Sequence, residues 1–169
     1  LTVVQEAAGS NKFFASAVSA VATMIDLDRA LIVLRNGNDW SVRSSYTSDT
    51  GVSQTGEHGN EATYSRGLIQ KVMQSNKTVI YDPANFMESA ESSMVALDRA
   101  VAAPIFDEER SVIGVIYGDR KFASGGVDTP IGDLEAALLE VLAGAVSSGL
   151  ARQRQEAIRS NLTQFFSNE

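Results

Sequence analysis

The chain has 169 residues, 44% of them hydrophobic, which is enough to bury one full core and too few for two comfortable ones. Its formal net charge of −7 repels phosphate backbones and anionic lipid, so nucleic acid and membrane surfaces are not expected partners, while a small anion in a local pocket stays compatible. The absence of cysteine removes disulfides, thiolate zinc sites and cysteine nucleophiles together, and no metal-ligating cluster replaces them. No apolar run reaches the ~20 residues of a bilayer-crossing helix, and no charged start with an apolar core marks a signal peptide, so a soluble cytoplasmic domain is expected.

From Val3 to Ile25 the residues Phe14, Val18, Val21 and Ile25 recur at spacings of a helix, with Phe13, Ala17, Ala20 and Met24 as an adjacent stripe. The apolar face is wide enough for a domain core on one side and another helix on the other. After a polar break at 26–29, Ala30 to Leu34 is a β-type run ending in the turn signal Asn36-Gly37-Asn38-Asp39. Trp40, Val42, Ser44 and Tyr46 then alternate with polar residues, which predicts a hairpin partner with one buried face. The stretch 48–62 is polar and glycine-rich, and the single histidine, His58, reads there as a solvated loop residue. A second helix carries Leu68, Ile69, Val72 and Met73, with Ser65 as N-cap and Asn76 as its stop. Thr78 to Tyr81 is a short strand closed by Asp82-Pro83, and 85–98 is a long loop of the kind that covers sites.

Between Arg99 and Phe122 two apolar runs flank the acidic turn Asp107-Glu108-Glu109, a second hairpin. Pro104 cannot donate to a ladder, so its strand should be at an edge or bulged there. Gly114 and Gly118 leave room for a close neighbour, either packed chain or ligand. Asp119-Arg120 reads as an ion pair at the strand end. Residues 131–166 contain no proline and place Leu134, Leu138, Val141 and Ala145 at coiled-coil spacing, predicting one long helix. At ~1.5 Å per residue it spans ~50 Å, beyond what the domain core needs, so its far part should pack on something else.

The pattern A-x-P-I…IGV-x-Y of residues 102–117, with this order of elements, resembles GAF domains, the small-molecule sensing modules of signalling proteins. A PAS-type sensor fits less well, because a helix precedes the first strand here. The resemblance implies an α+β fold: a central antiparallel six-stranded sheet with the N- and C-terminal helices on one face and a pocket-covering loop and helix region on the other. Residues 1–130 would form the domain and 131–169 the long helix leading toward an output domain. The IYGDRK stretch, LEAALLEVLAGAVSSGLARQRQE and the tail QFFS further resemble the GAF segment and linker of bacterial class III adenylate and guanylate cyclases. That implies a homodimer paired in parallel through the terminal helices, transmitting state to catalytic domains.

The resemblance also gathers Tyr46, Ser65, Arg66, Phe86, Ser92, Ser93, Arg99, Ala103 and Tyr117 around one pocket, with Arg66 and Arg99 able to meet a phosphate or carboxylate. Cyclic nucleotides, cAMP or cGMP, are the sharpest ligand candidates, although the family's NKFDE signature meets Arg120-Lys121 where its Asn-Lys would stand. Covalent bilins and the sulfoxide-reducing branch both require cysteine, which this chain lacks. No catalytic constellation is present in the sequence, so the fragment reads as regulatory. The alternatives are a ligand-free dimerisation and relay module, its cavity filled by Phe86, Met87 and Met94, or the GAF domain of a kinase, phosphatase or transcription activator.

Overall fold

The computed structural model describes residues 11–49, 54–55, 64–83, 99–121 and 129–167. The elements are α1 (Asn11–Ile25), β1 (Arg29–Asn36), β2 (Asp39–Thr47), β3 (Gln54–Thr55), α2 (Arg66–Ser75), β4 (Val79–Tyr81), β5 (Arg99–Phe106), β6 (Val112–Arg120) and α3 (Asp133–Phe166). The strands form one open sheet in the order β3-β2-β1-β6-β5-β4, with every pairing antiparallel. Its two ends are short: β3 has two residues and β4 three.

Both faces of the middle of the sheet are covered, which is why β1, β5 and β6 read as continuous apolar runs instead of alternating ones. One face packs against α1 and α3, in a core that joins Phe14, Val18 and Val21 to Ile32, Val101, Ala103, Ile105 and Ile116, and to Leu139, Ala143 and Val146. The other packs against α2 through Leu31, Val33, Ala102, Val115 and Tyr117 with Leu68, Ile69 and Val72. Met24, in the second predicted stripe of α1, is exposed.

Local chemistry ends the helices where the sequence indicates. Asp26 turns left-handed after α1 (φ 56°), and the Leu27 N–H donates to the Ala22 carbonyl at 2.9 Å. Ser65 caps α2 by accepting from the Leu68 N–H at 3.2 Å, and Asn76 ends it at φ 53°. Glu135 accepts from the Gly132 N–H at 2.9 Å to open α3.

Two expectations are corrected. The register of β1 against β2 shifts between Ile32 and Val33, whose partners are Ser44 and Val42, leaving Arg43 as the extra residue of a bulge. The bulge reverses the alternation, so Trp40 and Val42 pack on the α2 face while Tyr46 packs on the α1–α3 face. Pro104 pairs with Val115 inside a central strand, but β4 reaches only Ala102, so Pro104 has no ladder partner on its other side; the bulge follows at Phe106, whose N–H donates to Ser147 Oγ of α3 at 3.0 Å. Consistent with the sequence, α3 holds no long unbroken apolar run, although by overall length and composition it is long and apolar enough to cross a membrane.

The room above the two glycines is taken by the chain itself. A Cβ on Gly114 would lie 2.6 Å from Leu34 Cδ2, and one on Gly118 would lie 2.3 Å from Leu27 Cδ1.

Candidate functional site

The α2 face is filled by its own side chains at the centre and opens toward the β1–β2 turn. There a cleft of about 390 Å³ lies between the start of β2 and one side of α2. Trp40 forms one wall, with Asn38 and Asp39 at the turn; Tyr64, Arg66, Ile69, Gln70 and Met73 form the other. Arg66, Ile69, Gln70 and Met73 share a side because they follow the three- and four-residue spacing of a helix. The bulge brings Trp40 to this face, and the two-residue turn with Gly37 at φ 63° fixes where Asn38 and Asp39 stand. Neither the Asp39 carboxylate nor the Arg66 guanidinium has an ion pair or hydrogen bond among the described residues.

At the opposite end of the same face, Arg29 on β1 stands directly across from Asp119 on β6. Arg29 Nε donates to Asp119 Oδ2 at 3.0 Å, and a second guanidinium nitrogen donates to the same oxygen. Burial works against the charge on Arg29, but the hydrogen bond and charge of Asp119 outweigh it and hold the Arg29 pKa above its ordinary value. Tyr117 lies beside this pair, fully buried, and its hydroxyl has no hydrogen-bond partner. Burial, then the nearby Asp119 charge, pushes its pKa well above the phenol range.

Arg120, the next residue of β6, serves the other side of the sheet. Its guanidinium donates to the carbonyls of Ile25 (2.6 Å) and Asp26 (2.9 Å) at the end of α1, and to those of Thr129 (3.0 Å) and Pro130 (3.3 Å) before α3. A cation at a helix C-terminus meets unpaired carbonyls and the negative end of the helix dipole. Asp119 and Arg120 are therefore not paired with each other as the sequence suggests. They tie the two faces of the sheet together at adjacent positions of one strand.

Of the residues expected around one pocket, Arg66 lines the cleft. Ser65 is beside it, but its hydroxyl oxygen is committed to the α2 cap. Tyr117 is on the α2 face, in the core. Arg99 is buried at the start of β5 and donates to Asp82 at 3.3 Å. Tyr46 and Ala103 pack on the α1–α3 face and do not join the others. Phe86, Ser92 and Ser93, with Met87, Met94 and His58, lie outside the described residues. Asp39, Trp40, Tyr64 and Met73 were not expected; the signal for them was the turn at 36–39 facing the helical stripe of α2. Among the described residues no group of three His, Cys, Asp or Glu side chains could hold a metal ion.

No curated protein matches the sequence. Solved structures share the fold. The GAF domain of an Acinetobacter phosphoenolpyruvate-protein phosphotransferase aligns with a TM-score of 0.62 at 18% identity, covering 92% of each chain. The free methionine-R-sulfoxide reductase of Neisseria meningitidis, in complex with its substrate, aligns at 0.61 and 15% identity, over 92% of this chain and 86% of the other. The GAF domain of a putative sensor histidine kinase from Pseudomonas syringae pv. tomato aligns at 0.56 and 12% identity, over 94% and 85%. The family model of the GAF domain matches residues 11–150, and with the sheet order and helix placement above, the chain belongs to the GAF domain family.

Proposed function

We propose that the chain is the regulatory, small-molecule-sensing domain of a cytoplasmic signalling protein, without catalysis of its own, and that its state leaves through α3. The observation that carries this reading is the connection through β6. One end of the α2 face is held by Arg29 and Asp119, and the adjacent Arg120 grips the carbonyls where α1 ends and α3 begins. A ligand shifts output only by its difference in affinity between two states, typically about 1–3 kcal/mol, which a rearranged ion pair can supply.

In this reading α3 pairs with the α3 of a second copy in parallel. Its inner side, Leu139, Ala143 and Val146, belongs to the domain core. Residues 152–167 are all exposed and extend ~24 Å past it. Leu138 is drawn onto the core, so the free seam does not follow the predicted 134–138–141–145 line. It runs instead at alternating three- and four-residue steps through Leu134, Ala137, Val141 and Gly144 to Ile158, Leu162 and Phe165, all exposed. This seam continues the packed half of α3, which favours a helix pair over a membrane span.

The output domain is read more broadly than the tail motif suggests. The structural neighbours described above come from a phosphotransferase, a reductase and a sensor kinase, and none is a cyclase. A kinase or other signalling output is thus favoured over the cyclase implied by QFFS. The ligand-free relay alternative draws support from the self-filled centre of the α2 face. Thermal unfolding with and without cAMP, cGMP and a panel of common metabolites separates the two. A ligand at 100 times its Kd adds about 2.7 kcal/mol, expected to raise Tm by roughly 5–10 °C. An unchanged Tm with every compound would leave the relay module.

A further inference from the structure

We infer that the ligand of the α2-face cleft is a free α-amino acid with an apolar side chain, bound as its zwitterion; this rests on the sensing role proposed above. Asp39 and Arg66 line one cleft from opposite walls, and neither charge has an ion pair or hydrogen bond among the described residues. A surface that keeps one unpaired charge of each sign around a common space matches a ligand carrying both an ammonium and a carboxylate. Arg66 presents a planar fork of donors suited to a carboxylate, at the first position of α2, where the helix dipole also favours a negative group. Asp39 is an acceptor for the ammonium.

The remaining walls select the side chain. Trp40, Tyr64, Ile69 and Met73 give the cleft an apolar part beside the polar Asn38 and Gln70, and Met and Trp adapt to branched or thioether groups. At about 390 Å³ the space is near the small end of ligand sites, which run from about 300 to 1,000 Å³. The net charge of the chain points the same way. A net charge of −7 gives an anionic ligand no long-range attraction, whereas a zwitterion enters its field without net cost.

Isothermal titration calorimetry of the 169-residue chain tests this with L-leucine, L-methionine and L-phenylalanine up to 10 mM. Isopentylamine and 4-methylpentanoic acid, each lacking one of the two charges of leucine, serve as controls, and cAMP as an unrelated ligand. The expected result is saturable binding of at least one amino acid, with no saturation by either control. Arg66→Ala and Asp39→Ala should each weaken it about tenfold or more, as loss of a charge-assisted hydrogen bond does, with Arg66→Lys recovering part of the loss. Both positions are exposed, so the variants should melt with the parent chain. Equal binding by a singly charged control, or unchanged affinity in both variants, would overturn the assignment. Saturable binding of cAMP alone would overturn it while leaving the sensing role standing. Failure of every compound here and of the wider metabolite panel would remove both.

Discussion

Tyr117 brings a hydroxyl without a partner into the core, next to the Arg29–Asp119 pair. An unsatisfied buried hydroxyl costs about 1–3 kcal/mol, so Tyr117→Phe should leave stability at pH 7 unchanged or raise it. The alkaline limb gives a second readout. In the unfolded chain this phenol ionises near its ordinary value of about 10, and in the folded chain its pKa lies higher. Above about pH 10 the folded state therefore holds a proton the unfolded state has released, so this contribution is intact below the unfolded pKa and is lost as pH rises, by about 1.4 kcal/mol per unit. Denaturant melts between pH 9 and 11 should fall less steeply for Tyr117→Phe than for the parent; parallel curves would show that Tyr117 ionises alike in both states. Gly118→Ala should destabilise by about 1–3 kcal/mol in the same assay, because the new methyl would lie 2.3 Å from Cδ1 of the buried Leu27 and force that side chain to shift. At this scale the sequence was legible where a residue acts locally. Ser65 and Asn76 cap α2 as expected from their chemistry, whereas Arg29, the partner of Asp119, and the α1 carbonyls that Arg120 meets lie 90 to 95 residues away and leave no local trace.

The strand β2 shows how an element can be recognised while its faces are misassigned. Trp40, Val42, Ser44 and Tyr46 keep one parity in the sequence, yet the extra residue at Arg43 sends the first two and the last to opposite sides. Nothing in DWSVRSSYT marks a bulge by composition alone. Ala103 was misplaced for a related reason: β5 is buried on both faces, so no polar alternation says which alanines look toward α2. The cleft was legible only as far as Arg66, since its other wall depends on that bulge. Where α1, β6 and the start of α3 meet, Arg120 donates to four carbonyls. Arg120→Ala would leave four carbonyls at the α1 and α3 junctions without their donor and should cost about 1.5–3 kcal/mol. Hydrogen exchange should show the gain in opening at the last turn of α1 before the sheet is affected. Loss confined to the sheet centre would mean that Arg120 does not hold the helix ends.

For the whole molecule, the domain is a sheet insulated on two sides, with a cleft on the α2 side and a helix leaving from the other. Five of the six strands and the long α3 followed from periodicity; the two-residue β3 lies in the stretch 48–62 that reads as a loop, the count of six came from the family resemblance, and the exposed seam of α3 depends on Leu138 joining the core. A parallel pair brings position 162 of one copy against 162 of the other, whereas Gln153 lies off the seam. The chain has no cysteine, so a single one introduces an unambiguous probe. Disulfide cross-linking of Leu162→Cys under mild oxidation, with Gln153→Cys as control, is the measurement to make. Rapid dimer formation by Leu162→Cys, with Gln153→Cys remaining single, is the result expected of a parallel α3 pair that carries the signal outward. Equal rates for the two variants, or a Leu162→Cys chain that stays monomeric at tens of micromolar, would contradict it.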